Sequence, residues 1–277
     1  MQKSTKVVAV AGDKELARIP GAEPSARIDA WWWLLVAVVA MIILMVVTSP
    51  DPYQRVLLYV RDGIWVTVYI TVTAFFFTLV AGLLGALGRL SKNRLISGVA
   101  SLYVEVIRGI PLLVQLIWWY YAFPPLLQNI GRAYQIGIIA NFQADPVMMA
   151  ILGLVICYGA YMTEIYRAGI QSIPPGQMEA ARSVGMTYFQ SMRYVILPQA
   201  IRVILPPVGN EFIALLKDSS LVSAVAVPDL TRRGREFMSA NFITIEVWLL
   251  IALIYLSMTL FSARVVARIE QRTRAEG

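Results

Sequence analysis

Five stretches of this 277-residue chain carry no charged side chain: Ala30 to Pro50, Ile64 to Leu87, Gly109 to Gly131, Pro146 to Thr163 and Val247 to Ala263. A hydrocarbon core about 30 Å thick takes about 20 apolar residues of helix to cross, so each stretch reads as a membrane span. A sixth, Val203 to Val227, is apolar but interrupted by Pro206, Pro207, Glu211, Lys217 and Asp218. With 58% hydrophobic and 15% charged residues, an ordinary soluble domain is excluded. The expected fold is all-α, a polytopic integral membrane bundle of six crossings. The first apolar run begins near Ala30, is longer than a signal core and lacks a small-residue cleavage site after it, so it is expected to remain as an anchor.

Basic residues orient such a bundle, because loops rich in Lys and Arg stay in the cytoplasm. Arg89, Lys92 and Arg94 follow the second span, Arg167, Arg182, Arg193 and Arg202 the fourth, and Arg264, Arg268, Arg272 and Arg274 end the chain. These loops are expected inside, with both termini cytoplasmic. Arg232, Arg233 and Arg235 are discordant, since the same count puts them outside. The net charge of +7 calls for no nucleic acid, because anionic membrane lipid and the positive-inside bias account for it.

Several chemistries are removed by what the chain lacks. It has no histidine, so His-based acid-base catalysis and His-rich metal motifs are out. Its one cysteine, Cys157, permits no intrachain disulfide and reads as helix packing within the fourth span. No Gly-Lys pair opens a phosphate-cradling helix, so a nucleotide driving transport would have to bind another polypeptide.

Between the fourth stretch and the interrupted one, Pro174 to Ala200 carries the signals of a folded object rather than a slack loop. Pro174 and Pro175 suit a helix start, Gln177 to Val184 reads as two helical turns, and Gly185 stands where a left-handed residue ends them. Thr187 with Gln190 makes a capping box for a second helix, with Phe189, Met192 and Ile196 on one face and Pro198 as its end. An amphipathic pair around a Gly hinge suits a protein groove better than lipid headgroups.

Here the chain resembles a known family. Glu179, Ala180 and Ala181, then Gly185, then Ile196, Leu197 and Pro198, are similar to the EAA loop of the permeases of bacterial ATP-binding-cassette importers. Ser91 to Leu116, Ala160 to Gln177 and Asn210 to Val225 resemble the polar amino acid uptake branch, and the likeness runs from about Leu57 to the C-terminus. It implies a five-span permease core at residues 57–266 with a coupling loop at 174–200. Around it stand cytoplasmic tails at 1–29 and 267–277 and an extra span at 30–50. It further implies two ATPase subunits that bind the ATP and Mg, a second permease subunit, identical or paralogous, and an extracytoplasmic amino acid-binding protein. The bacterial inner membrane is the expected location, and the chain itself is expected to be neither an enzyme nor a holder of a cofactor. The coupling residues would be those of the EAA loop together with Gln177.

A charge at the bilayer centre costs on the order of 2.5 to 3.5 kcal/mol, so the interrupted stretch Val203 to Val227 is the other place to look for function. Glu211, Lys217 and Asp218 need a partner helix or an aqueous path, and Pro206, Pro207, Gly209 and Asn210 suggest a broken helix lining it. In the family this stretch helps line the translocation route, and Ser219 stands where Thr is more usual. Glu164 sits on the path or pairs with Arg167 three residues on; the resemblance implies acidic groups around here that help hold a cationic amino acid, which makes Glu164 and Glu211 candidates. Glu105 and Arg108 are spaced for a structural pair, Gly109 and Pro111 suggest a kink, and Trp118 to Tyr121 read as an aromatic belt. An ion-coupled secondary transporter using Glu164, Glu211 and Asp218 is the alternative, and a membrane enzyme the third reading, although no cluster of acids or nucleophiles marks one.

Overall fold

The computed structural model describes residues 30–275; the expected N-terminal tail and the last two residues of the C-terminal tail lie outside the described residues. Among the described residues there are helices and no strands: α1 (Ala30–Thr48), α2 (Pro50–Arg89), α3 (Arg94–Gly109), α4 (Leu112–Ile117) and α5 (Phe123–Ala133) come first. After them run α6 (Gly137–Ala140), α7 (Pro146–Gln171), α8 (Pro175–Ser183), α9 (Tyr188–Ser191), α10 (Leu197–Asp218), α11 (Leu230–Asn241) and α12 (Ile245–Ala275). Helices α1, α2, α7 and α12 are each long and apolar enough to span a membrane. Helix α3 and the segment Leu112–Ala133 qualify together, bent by 104° where Gly109 and Pro111 interrupt the backbone ladder.

The centre of the fold is the packing of α2 on α7. A Cβ on Gly82 would fall on Met162, and one on Gly85 on Thr163 Oγ1, so these glycines set how closely the two helices approach. The hydroxyl of Thr163 donates to Gly159 O at 2.8 Å and to Gly82 O at 3.3 Å. Ile70, Ala74, Leu154 and Leu215 pack into one core; Val56, Val60, Leu250 and Ile254 into a second, where α2 meets α11 and α12. Helix α1 lies on the outside of this second core. It buries Val38 and part of Ile42 while Trp33 and Val47 stay more than 60% exposed, the surface that lipid covers.

Three local expectations are corrected. Helix α10 runs unbroken through Pro206 and Pro207, and Gly209 serves close packing against Val266 rather than a bend. The break comes later, at Asp218, where a 3-10 turn over Ser219–Val225 ends in Ala226 with φ of 63°. Pro198 does not end the second loop helix, because a π turn at Met192–Ile196 carries α9 into α10 with Leu197 N–H bonded to Met192 O. That wide turn adds a residue and shifts the register, so Phe189 is 69% exposed while Ile196 is buried. Helix α12 itself continues to Ala275, through the residues expected to form the C-terminal tail.

Candidate functional site

A cavity of about 470 Å³ opens where three elements meet: the α3–α4 break, the middle of α7 and the end of α10. Residues Arg108 to Leu112, Cys157, Tyr158, Tyr161, Glu211, Ala214 and Asp218 line it. The break itself places Arg108 there. With the helix interrupted after Gly109, the Arg108 guanidinium lies over the Tyr161 ring, 5.1 Å from its centroid, rather than forming the structural pair with Glu105 that the spacing suggests. Opposite it, Tyr158 OH donates to Asp218 Oδ2 at 2.7 Å, which leaves the second carboxylate oxygen of Asp218 without a protein donor among the described residues. Glu211 lies two helical turns before Asp218, so the two acids share a face of α10.

Gln115 holds this geometry. Its side chain is 95% buried, and Nε2 donates to Ile107 O and Ile110 O, both at 2.9 Å, with a longer contact to Cys157 Sγ at 3.6 Å. Those carbonyls lie at the helix break, and the amide supplies donors that the interrupted ladder no longer provides. Arg108, Gln115, Tyr158 and Tyr161 were not singled out as site residues from sequence. The one available signal was the Arg-Gly-Ile-Pro string, which puts a cation at the last turn before a break.

The six candidate path residues separate into three groups. Glu211 and Asp218 enter the cavity. Asn210 and Lys217, seven residues apart, are exposed on one outer face of α10. Lys217 has no ion-pair partner among the described residues. The other two are elsewhere: Ser219 is buried with its hydroxyl on Leu216 O, and Glu164 lies between two arginines outside the cavity lining. Arg89 Nη1 of α2 reaches Glu164 Oε2 at 2.6 Å, and Arg167 of α7 grips both carboxylate oxygens. Of the two roles open to Glu164, this geometry is that of the pair with Arg167, extended to a clasp between helices.

The loop from Pro174 to Ala200 folds as its caps specify. Gly185 has φ of 86° and its N–H bonds Arg182 O, while Met186 N–H reaches back to Ala181 O, closing α8. Both halves of the Thr187–Gln190 capping box are present. Helix α8 packs on the π turn with Ala181 and Ile196 buried, and Gln199 Nε2 donates to Gln177 Oε1 at 3.3 Å. Glu179, Ala180, Leu197 and Pro198 lie on the surface. Around a shallow cavity of about 290 Å³ lined by Val184, Gly185, Met186, Gln190 and Tyr194, the side chains of Val184, Tyr188, Phe189 and Tyr194 are each at least 60% exposed. These four exposed side chains cluster beside the polar Gln190 on the loop.

Comparison with known proteins agrees with this architecture. Residues 78–275 match the family described as binding-protein-dependent transport system inner membrane component. The glutamine transport system permease of Escherichia coli is 35% identical over 213 residues, 77% of this chain and 92% of that protein. The L-cystine transport system permease of Bacillus subtilis is 41% identical over 179 residues, covering 65% of this chain and 70% of the relative. Among solved structures, an amino acid ATP-binding-cassette transporter crystallised with histidines is 39% identical, with a TM-score of 0.69 over 81% of this chain and 97% of that one. A family match over most of the chain, together with an all-helical bundle of the same shape, means that this chain belongs to the inner-membrane permease components of binding-protein-dependent, ATP-binding-cassette import systems.

Proposed function

We propose that this chain forms the translocation path of an ATP-driven amino acid importer and passes the movement of cytoplasmic ATPases to its spans through the loop at 174–200. The observation that carries the substrate class is the mixed charge of the 470 Å³ cavity, one guanidinium facing two carboxylates. An α-amino acid carries the complementary pattern, its carboxylate matching Arg108 and its ammonium matching Glu211 and Asp218. The acids outnumber the arginine by one, which favours a solute with a second positive charge. Relatives named for glutamine, cystine, nopaline and arginine transport support the amino acid class.

Two ATPase subunits carrying ATP and Mg would dock on the exposed apolar rim of the loop, around Glu179, Gly185 and Phe189. A second permease subunit would cover the face of α10 that exposes Asn210 and Lys217, which gives a charge at membrane depth a neighbour other than lipid. A binding protein would deliver the solute from outside. On the proposed orientation both termini are cytoplasmic. The parity of the spans outweighs the one discordant cluster, in which Arg232 pairs with Glu236 at 3.0 Å and Arg233 with Asp62 at 2.6 Å. The test is uptake of labelled basic and neutral amino acids into proteoliposomes containing the purified complex, with and without internal ATP. ATP-dependent accumulation that falls at least tenfold in Arg108→Ala supports the proposal; accumulation driven by an ion gradient without ATP refutes it.

A further inference from the structure

Helix α1 lies ahead of the family match, which begins at residue 78, and its first turn makes a defined contact with the end of α12. Arg264 Cζ stands 5.5 Å from the centroid of the Trp31 ring, and Arg268 Cζ 4.9 Å from that of Trp32. Arg264, Arg268 and Arg272 follow at four-residue spacing, which places them along one side of the helix. The uncharged stretch of α12 ends at Ala263, so at a rise of 1.5 Å per residue Arg268 lies roughly 7 Å beyond it and Arg272 roughly 13 Å. Headgroups occupy the depth of Arg268, since they add about 5 to 8 Å on each side of the hydrocarbon core, and the long side chain of Arg272, one turn further out, tilts back toward them as side chains on a helix do. The three tryptophans that begin α1 stand at the same level, where indoles anchor at a lipid interface.

The chemistry of this corner is incomplete within the chain. Arg268 and Arg272 are exposed and have no acidic partner among the described residues. Glu270 is two residues from each and therefore roughly 200° round the helix. A guanidinium stacked on an indole keeps its in-plane N–H groups open, and their fork geometry matches a phosphodiester. Directly beside it runs the outer face of α1, 19 residues without a charge, where Trp33, Val36 and Leu44 are more than half exposed.

We propose that the Trp32–Arg268–Arg272 corner binds one anionic phospholipid, its phosphodiester on the two arginines and its acyl chains along α1. Hydrocarbon is the occupant the long uncharged face of α1 fits, and an anionic headgroup is what an arginine without an acidic partner at headgroup depth, with a second one turn beyond it, requires. Zwitterionic lipid offers the same acyl chains but pairs its own phosphate with choline, so the site discriminates by charge. The assignment does not depend on the amino acid or ATPase readings.

Native mass spectrometry of the full-length permease in detergent tests it, using dioleoyl phosphatidylglycerol and dioleoyl phosphatidylcholine as the two probes. The wild type should retain one phosphatidylglycerol in preference to phosphatidylcholine. Retention should fall about fivefold in Arg268→Ala, the factor carried by one basic side chain at an anionic surface. It should fall further in the double variant Arg268→Ala with Arg272→Ala, while Arg193→Ala, on the loop, leaves it unchanged. Both substituted arginines are exposed, and an unchanged melting profile of each variant keeps the comparison clean. Equal retention of the two lipids, equal loss in Arg193→Ala, or displacement of the lipid by millimolar inorganic phosphate would overturn the proposal.

Discussion

Glu164 separates a structural role from a role in transport more sharply than any other residue of this chain. Its carboxylate joins Arg89 at the end of α2 to Arg167 on α7, and the three side chains are 26, 17 and 26% exposed for Glu164, Arg89 and Arg167. Breaking a fully buried pair costs about 3 to 5 kcal/mol, whereas exposed pairs are worth about 0.2 to 1. A clasp about one quarter exposed lies between these limits, near 2 kcal/mol, or roughly thirtyfold in the folding equilibrium. Replacing Glu164 with Gln keeps the shape and removes the charge, leaving two arginines side by side. The thermal unfolding midpoint of the purified permease should drop clearly, with amino acid binding to the complex unchanged within about twofold. A cycle pairing Glu164→Gln with Arg89→Gln should give less than the sum of the two losses. Tenfold weaker binding at an unaltered midpoint would refute the clasp and return Glu164 to the path.

Gln115→Leu removes the Nε2 donor from both carbonyls at the α3–α4 break, leaving Ile110 O unpaired while Ile107 O keeps the Ile110 N–H at 3.4 Å, and should cost about 1 to 3 kcal/mol; thermal unfolding checks the loss, and transport should fall with it because Arg108 loses its support. Glu179→Lys should abolish stimulation of the partner ATPase by substrate while leaving membrane insertion intact, as read by ATPase assay and membrane fractionation. Asp229, at the start of α11, is the group with a pH signature. Burial pushes its carboxyl up to about 6, against the opposing hydrogen bonds from the N–H groups of Arg232 and Thr231 and the hydroxyls of Thr231 and Tyr255. A carboxyl that holds its proton more tightly in the folded state stabilises most below its unfolded value of about 4 and loses that contribution as pH rises through about 6. The difference in melting midpoint between wild type and Asp229→Asn should therefore change between pH 4 and 7, the wild type gaining on acidification, and a pH-independent difference would contradict it.

The parts of this molecule that were legible in the sequence are those governed by local chemistry. Uncharged length marked α1, α2, α7 and α12, and Gly109 with Pro111 marked the break that became a 104° bend. Cap residues marked the folded loop, down to Gly185 with its positive φ and the Thr187 capping box. What escaped depends on three-dimensional context. Proline usually ends or bends a helix, yet Pro198 follows a π turn whose wide hydrogen bonds tolerate the missing N–H, and Pro206 and Pro207 are carried by the helix on either side. Arg108 has an acid at helical spacing, but the bend one residue later turns it across to α7, and no periodicity reports such a turn. Glu164 had a visible partner in Arg167 and an invisible one in Arg89, which lies 75 residues away.

The decisive experiment is to recover the chain from its native membrane in mild detergent and weigh what remains bound. A P-loop ATPase should be found at one copy per permease subunit and be lost when Phe189, 69% exposed on the loop, is replaced by Glu. A chain that comes away alone and carries amino acids across liposomes without ATP would contradict ATP-driven import.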